Sequence, residues 1–336
     1  MRVRIVGHAG ECSFPFTESG PWLKFKKNLL KEDDCLVTSK FDQDIDLLIC
    51  HGYSSAAIKE AKKSQLPKHK MILVLWEPSI TNPKLHSDRY LSKFGFVYSP
   101  SPHWAKNHNA LHFNWPIGEI TSQNQSLSLG ERLDNPVIIQ GNKVNFLKGE
   151  NYSLRREVLF KSLQMKHPIM LYGHGWQRVS KTQILRAFIN FICNLNYGLS
   201  MKSLAHFGEV YPNYIGASNN KFTTLKNHKI SVVIENHSSY ISEKIFDSLN
   251  SGCITLYVGP DLAEYGLNRD MALQVPANSD RILETVNHIL SLSEEKLTEI
   301  KETQKHWLDM VKNDWNNEKV LANLALSIRK NIENGN

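Results

Sequence analysis

A short polar segment between two apolar runs holds the residues of this chain that are best suited to chemistry. The runs cover 230–234 and 254–258, and their β-branched composition is that of buried strands. Between them, a Glu-Asn pair is followed by Tyr240, Glu243 and Lys244. Carboxylates and amides hydrogen-bond to sugar hydroxyls, whereas a lysine at a helix N-terminus attracts phosphate. These residue types therefore indicate a ligand that carries both groups, namely a nucleotide sugar.

The elements around this segment are predicted to form a βαβ unit. Apolar residues recur at helical spacing after the polar loop: Ile241, Ile245, Phe246 and Leu249. Gly252 follows at the position where a helix C-terminus favours a residue with positive φ. The polar loop then lies at the carboxyl end of the first strand, which is where open α/β sheets bind their ligands.

The same segment resembles glycosyltransferase family 10, the α-1,3/1,4-fucosyltransferases. The similarity rests on three stretches in the family's order: VVIEN, then YISEKIFDSLNSG, then ITLYVGP. It is weaker but co-linear over 71–78 and 152–176. The chain departs from the family in three places: only three residues separate Asn236 from Tyr240, Thr255 stands where a proline is usual, and the Pro-Pro that follows the second strand is missing.

The resemblance implies an inverting transfer of L-fucose from GDP-β-L-fucose to a hydroxyl of an oligosaccharide, in an α-1,3/1,4-type linkage on GlcNAc or Glc. By the same resemblance, Lys244 binds the donor phosphates and Glu243 binds the fucose or its developing charge. Asn236 and Tyr240 contact further donor groups. Rival interpretations are an inverting transferase for another nucleotide sugar, such as the exostosin-like group, and a non-catalytic relative that binds a nucleotide sugar.

Inverting transfer also needs a general base, since the acceptor hydroxyl must lose its proton as it attacks the anomeric carbon. Glu77 follows an apolar run, and the resemblance makes it the expected base on the acceptor domain. The alternative is a carboxylate that faces solvent at the end of a strand, where Pro78 makes the turn. Glu11 is a second candidate for the base.

Four further residues are donor-binding candidates through the resemblance. Arg155 and Arg156 open a predicted helix, and a guanidinium matches the geometry of a diphosphate. Gly173 ends a predicted strand at a turn whose backbone could approach the nucleotide, and Lys221 precedes the central strand. The alternatives are solvated arginines, a simple turn and a surface lysine.

No metal or other cofactor is expected to be required. The aspartates Asp42, Asp44 and Asp46 form an alternating run that is typical of a polar turn before a strand. His108 and His112 have i, i+4 spacing, but no third zinc ligand accompanies them. Lysine and arginine side chains can neutralise a departing diphosphate without a divalent ion.

Strands alternate with helices along most of the 336 residues, which predicts parallel sheets with helices on both faces. The expected fold is α/β of the GT-B type: two Rossmann-like domains facing a cleft, with a C-terminal helical tail. The expected boundaries are an acceptor domain at 1–130, a donor domain at 136–305 and the tail at 306–336. The polar stretch 121–136 is the predicted linker.

Composition limits the remaining classes of function. No dinucleotide fingerprint occurs, so a nicotinamide enzyme is not expected. No P-loop and no RNA-binding signature occurs either, and no nucleic-acid partner is expected. Five cysteines without a C-x-x-C pair are typical of reduced thiols, and no apolar run approaches the roughly 18 residues of a membrane span. These features predict a cytoplasmic enzyme. The net charge of +7 suits an anionic substrate or peripheral association with the inner membrane face.

Overall fold

The computed structural model describes residues 1–6, 21–36, 44–118, 127–177, 181–192, 198–200 and 202–335. Glu11, Asp42 and the greater part of the glycine-containing N-terminal loop lie outside these described residues. The chain divides into two compact units. The first comprises Met1–Glu119 and Asn313–Asn336, and the second comprises Ile120–Lys312.

The first unit is built on a six-stranded sheet in the order β2-β1-β3-β4-β5-β6, with every pair of neighbours parallel. Its strands are β1 Arg2–Val6, β2 Cys35–Leu36, β3 Leu47–Cys50, β4 Met71–Val74, β5 Phe96–Ser99 and β6 Leu111–His112. Its helices are α1 Pro21–Leu29, α2 Ser55–Lys63, α3 Asp88–Leu91, α4 Pro102–Asn107 and, near the C-terminus, α11 Asn317–Asn334.

The second unit repeats this plan with a sheet in the order β12-β11-β10-β7-β8-β9, again parallel throughout. Its strands are β7 Val137–Ile139, β8 Met170–Tyr172, β9 Tyr214–Gly216, β10 Ile230–Ile234, β11 Ile254–Val258 and β12 Leu273–Gln274. Its helices are α5 Tyr152–Ser162, α6 Lys181–Ile192, α7 Lys221–Lys226, α8 Glu243–Asn250, α9 Ser279–Leu290 and α10 Glu294–Trp315, the last ending at the boundary.

The predicted βαβ unit around residue 240 is confirmed as β10, α8 and β11. Every residue of both strands is buried, as is typical of parallel strands that helices cover on both faces. The helix begins at Glu243 rather than Ile241, because the Ser242 side chain accepts a hydrogen bond from the Lys244 backbone as the N-cap. The α/β fold class is therefore as expected.

The helical C-terminal tail is present, but it does not form the separate unit expected over 306–336. Instead, α11 packs against α1, and its buried side chains join the core under the first sheet: Val320, Leu321, Leu324, Ala325, Ile328 and Ile332. The Arg329 guanidinium lies 2.9 Å from the Asp34 carboxylate in that core's margin. The apolar stripe of α11 explains the difference, since it can be buried only against another element of the first unit.

None of the helices in the described part of the chain is both long and apolar enough to cross a bilayer.

Candidate functional site

The candidate site lies at the carboxyl ends of β7 and β10, at the centre of the second sheet. The chain runs from β7 outward through β8 to β9 and then returns to β10, which pairs with β7. Such a reversal of strand order opens a crevice between the loops that follow the two strands. The first residues after these strands are Gln140 and Glu235, and the Gln140 side-chain amide donates a hydrogen bond of 2.9 Å to the Ile234 carbonyl.

Glu235 anchors the N-terminus of α8 from the end of β10. Its carboxylate is fully buried and accepts hydrogen bonds from the Ser242 backbone N–H at 2.8 Å and from the Ser242 hydroxyl at 2.7 Å. Burial raises the pKa of Glu235, and the charge of Lys244 and the bonds from Ser242 offset only part of this effect. The Glu235 carboxylate thereby joins the two ends of the loop between β10 and α8. Its position in this loop is evident from the sequence, but no individual role was predicted for it.

The raised pKa of Glu235 predicts a specific pH dependence of stability. The folded protein holds this proton more tightly than the unfolded chain, where the pKa has its ordinary value near 4.5. The resulting stabilisation is complete below that value and is lost as the pH rises through the folded pKa. In Glu235→Gln, which imitates the protonated acid and can keep both contacts to Ser242, this loss should be absent.

Urea unfolding between about pH 5 and about pH 8 measures the effect. The free energy of unfolding of Glu235→Gln relative to wild type should increase with pH, by at most about 1.4 kcal/mol per pH unit. The exposed Glu264→Gln is the matched control, and it should follow wild type throughout. A Glu235→Gln curve parallel to that of wild type would contradict the assignment.

Glu243 and Lys244 occupy the first turn of α8, as the sequence predicts. The Lys244 ammonium donates to the Ser242 hydroxyl at 2.9 Å and lies 3.5 Å from the Glu243 carboxylate. Burial opposes ionisation of Glu243, but the neighbouring charges of Lys244 and Lys221 and the hydrogen bonds to the carboxylate together lower its pKa. Glu243 is therefore an ionised acceptor with 40% of its side chain exposed.

A cavity of about 220 Å³ brings three predicted residues together: Lys221, Glu243 and Lys244. Asp247 also lines it, and its carboxylate lies 2.6 Å from the Lys221 ammonium. Burial raises the pKa of Asp247, and Lys221 counteracts this only in part. Asp247 is not among the residues predicted from the sequence, although its position four residues after Glu243 places both on one face of α8.

Arg155 and Asn236 meet at the end of β10. The Arg155 guanidinium, which is 2% exposed, donates to the Ile234 carbonyl through Nε at 3.1 Å and to the Asn236 side-chain oxygen through Nη2 at 2.8 Å. Asn236 also accepts a 3.1 Å bond at its carbonyl from the Asn151 backbone. Two of the predicted donor-binding residues are thus joined directly, and Arg155 sets the conformation of the loop that carries Asn236.

Arg156 crosslinks two loops through its side chain. It is fully buried and donates to main-chain carbonyls of three residues: Lys143, Ser203 and Ala205. Both guanidiniums of the pair are thus buried and bonded to groups of the protein, and a contact of either with the diphosphate stays a prediction. Arg155 differs from Arg156 in that it contacts another predicted donor-binding residue, Asn236.

Replacement of Arg156 by methionine should destabilise the protein. Three main-chain carbonyls would lose charged donors, so the free energy of unfolding should fall by about 3 kcal/mol. Chemical denaturation measures this, with the exposed Arg281→Met as the control that should change it by less than about 1 kcal/mol. If Arg156→Met were as stable as the control, the crosslinking role would be wrong.

Three other predicted residues do not line this cavity. Gly173 has a φ of +137°, and a Cβ there would stand 2.0 Å from the Gln140 carbonyl oxygen, so packing alone already requires a glycine. Tyr240 is a buried residue, 4% exposed. Glu77 belongs to the first unit, where it follows β4, is half-buried and accepts a 2.9 Å bond at its carbonyl from His86 Nε2.

The described residues contain no group of three or more His, Cys, Asp or Glu side chains that could hold a metal ion. Asp46 accepts a hydrogen bond of 2.6 Å from the Arg2 backbone, as expected of a polar turn before a strand. His108 stacks on Trp104 with ring centroids 4.1 Å apart.

No family model matches the sequence, and no curated protein matches it. Solved structures do match. An α1,3-fucosyltransferase has 11% identity and a TM-score of 0.60, with 100% of this chain and 91% of the other covered. An α-glucosyltransferase in complex with UDP and a 13-mer DNA has 11% identity and a TM-score of 0.56, with 98% and 100% covered. HepE from Anabaena, in complex with UDP, has 9% identity, a TM-score of 0.56 and the same coverage. The chain therefore has the GT-B fold of these glycosyltransferases.

Proposed function

We propose that this protein is an inverting glycosyltransferase that moves L-fucose from GDP-β-L-fucose to a hydroxyl of an oligosaccharide acceptor, of the α-1,3/1,4 type on GlcNAc or Glc. The observation that carries the proposal is the first turn of α8. There the N-terminus of α8, the Lys244 ammonium and the ionised Glu243 carboxylate lie together at the crevice of the second sheet. The family-10 motif and the GT-B fold point to the same chemistry.

On the donor side, the N-terminus of α8 and Lys244 bind the diphosphate, because both present positive charge to its oxygens. Arg155, beside Asn236, contributes a second cation at the end of β10. Glu243 accepts hydrogen bonds from sugar hydroxyls. Lys221 lines the same cavity and adds positive potential to it, which the paired carboxylate of Asp247 partly neutralises. Tyr240 and Gly173 shape the site by packing.

In the proposed reaction, an acceptor oxygen forms a bond to the anomeric carbon while the bond from that carbon to the β-phosphate oxygen breaks. GDP leaves with the electron pair, and the acceptor proton passes to Glu77 as general base. The cations of Lys244 and Arg155 stabilise the charge that develops on GDP, so we propose that no divalent metal is required.

A second candidate is transfer from a uridine-linked sugar. It is favoured by one observation: the α-glucosyltransferase and HepE, which share this fold at a TM-score of 0.56, were both solved with UDP.

We also propose a cytoplasmic location, which is compatible with either donor. Cys35 is exposed and its thiol is free, as is usual in a reducing compartment.

A panel of donors separates these functions. Nucleotide release and sugar transfer are measured for GDP-fucose, GDP-mannose, UDP-glucose and UDP-galactose, with oligosaccharides ending in GlcNAc or Glc, in the presence of a chelator. The proposal expects turnover with GDP-fucose alone. Turnover with a UDP-sugar supports the second candidate, transfer from a uridine-linked sugar. Binding of GDP without turnover of any donor would mean that the protein binds a nucleotide sugar without catalysing its transfer.

A further inference from the structure

Helix α6 exposes a row of apolar residues to solvent. Leu185, Phe188, Ile189 and Ile192 recur at i, i+3, i+4 and i+7, which places them on one face, and each is at least 50% exposed. The opposite side contains the buried Ala187, with Ile184, Phe191, Gln183 and Asn190 half-buried beside it. The helix is therefore apolar on its exposed side as well as on its packed side, whereas an ordinary surface helix is polar where it faces solvent.

The exposed apolar side chains are concentrated in this part of the chain. The described residues include fifteen large hydrophobic side chains that are exposed, and eight of these lie between 185 and 215. Phe146 extends the apolar face of α6, since its ring lies 6.4 Å from that of Phe188, and its carbonyl accepts a bond from the Ser200 backbone next to the exposed Leu199. The apolar face of α6, extended by Phe146 toward Leu199, is the kind of exposed apolar surface that marks an interaction site.

The charged residues of α6 and of the sequence on either side of it have one sign. The sequence contains no Asp or Glu between Glu157 and Glu209, although acidic residues make up 33 of the 336 residues of the chain. The same interval contains six lysines and arginines, of which Lys181 and Arg186 are exposed on α6 itself. The surface is therefore apolar with a basic border, and it complements a partner that is apolar inside and anionic outside.

These two properties together describe an anionic lipid bilayer. Apolar side chains enter the boundary between headgroups and acyl chains, while lysine and arginine remain among the phosphates. With 12 residues, α6 is about 18 Å long and cannot span a hydrocarbon core of about 30 Å, so it would lie in the plane of the surface. A symmetric contact between two copies is disfavoured, because it would bring two basic borders together.

We propose that α6 docks this protein peripherally on anionic phospholipid membranes, with Leu185, Phe188, Ile189 and Ile192 inserted and Lys181 and Arg186 at the headgroups. The proposal does not depend on which sugar is transferred. It assigns a binding surface to a helix outside the candidate donor site.

The test is sedimentation of the full chain with vesicles of phosphatidylcholine alone and of phosphatidylcholine mixed with phosphatidylglycerol. Wild type should bind the mixed vesicles at least tenfold more tightly than the neutral ones, and added salt should weaken this binding. Leu185→Gln combined with Ile189→Gln should weaken it at least tenfold, because less apolar surface is buried. Lys181→Gln combined with Arg186→Gln should weaken binding to the anionic vesicles several-fold.

The matched control replaces two exposed apolar side chains of α10 and α11, Met310→Gln with Leu326→Gln, and should bind as wild type does. Hydrogen exchange provides a reading that needs no variant, since residues 181–192 should gain protection when anionic vesicles are added. Turnover in vesicle-free solution should be unchanged by the α6 variants.

Three results would overturn the proposal. The first is the absence of binding to mixed vesicles together with unchanged exchange of α6. The second is equal binding by the α6 glutamine variant and its control. The third is a wild-type oligomer in light scattering that the α6 glutamine variant converts to monomer, which would mean that a second copy covers this face.

Discussion

Replacement of Lys244 by methionine should reduce kcat/KM with GDP-fucose by a hundredfold to a thousandfold. Methionine keeps the length of the side chain and removes the ammonium that lies over the N-terminus of α8, 2.9 Å from Ser242 Oγ. Both the bound diphosphate and the departing GDP would lose this charge. The affinity for GDP, measured by calorimetry, should therefore fall together with kcat, whereas the affinity for guanosine should not change.

The matched control for this experiment is Lys305→Met, which removes an exposed lysine of α10. Thermal unfolding of both variants shows whether the loss is one of folding or of function. If Lys244→Met binds GDP as tightly as the control does, Lys244 does not contact the diphosphate, and the assignment of the donor site to α8 fails.

Replacement of Glu77 by glutamine should lower kcat by a hundredfold to ten-thousandfold, because the acceptor hydroxyl would lose its general base. The carboxylate has no proposed contact with the donor, so the KM for GDP-fucose and the affinity for GDP should remain close to those of wild type. Steady-state kinetics at saturating donor and varied acceptor measure the effect.

Glu32→Gln, an exposed glutamate of the same unit, is the control and should retain full activity. An unchanged kcat in Glu77→Gln would mean that Glu77 is only the carboxylate at the end of a strand. A parallel loss of GDP affinity would instead indicate a structural defect, because the donor residues proposed above all belong to the second unit.

The loop between Asn236 and Tyr240 is shorter than in glycosyltransferase family 10, and several hydrogen bonds fix its position. Asn236 is held by Arg155 and by the Asn151 backbone, and the Ser239 carbonyl accepts a bond of 3.0 Å from the Tyr265 hydroxyl. Tyr240 then turns into the core. The motif residues keep their order along the chain, and Tyr240 is buried.

Helix α6 shows where a pattern alone is insufficient. Its apolar residues have the spacing of any amphipathic helix, and that spacing does not say whether the apolar face is turned inward or outward. No helix or strand was predicted from the sequence between β8 and β10, the region that contains α6, β9 and α7. The outward orientation depends on what the neighbouring loops offer for packing, which is a property of the tertiary structure.

The sequence by itself determined the elements that carry the donor motif. The strands β10 and β11 and the helix α8 depend on local patterns: a continuous buried run, an N-cap serine before Glu243 and a glycine after the last turn. Such signals act within a few residues, so they can be read without knowing the partners.

Only the tertiary structure decided which side chains of the site meet. Arg155 and Arg156 are adjacent, so their side chains leave α5 in directions about 100° apart, and no local signal distinguishes them. Packing directs Arg155 to Asn236 and Arg156 to the carbonyls of two distant loops. The pairing of Lys221 with Asp247 likewise joins two helices. The physical reason is that these contacts connect residues far apart in the chain. The pairing of the strands sets the distances between such residues.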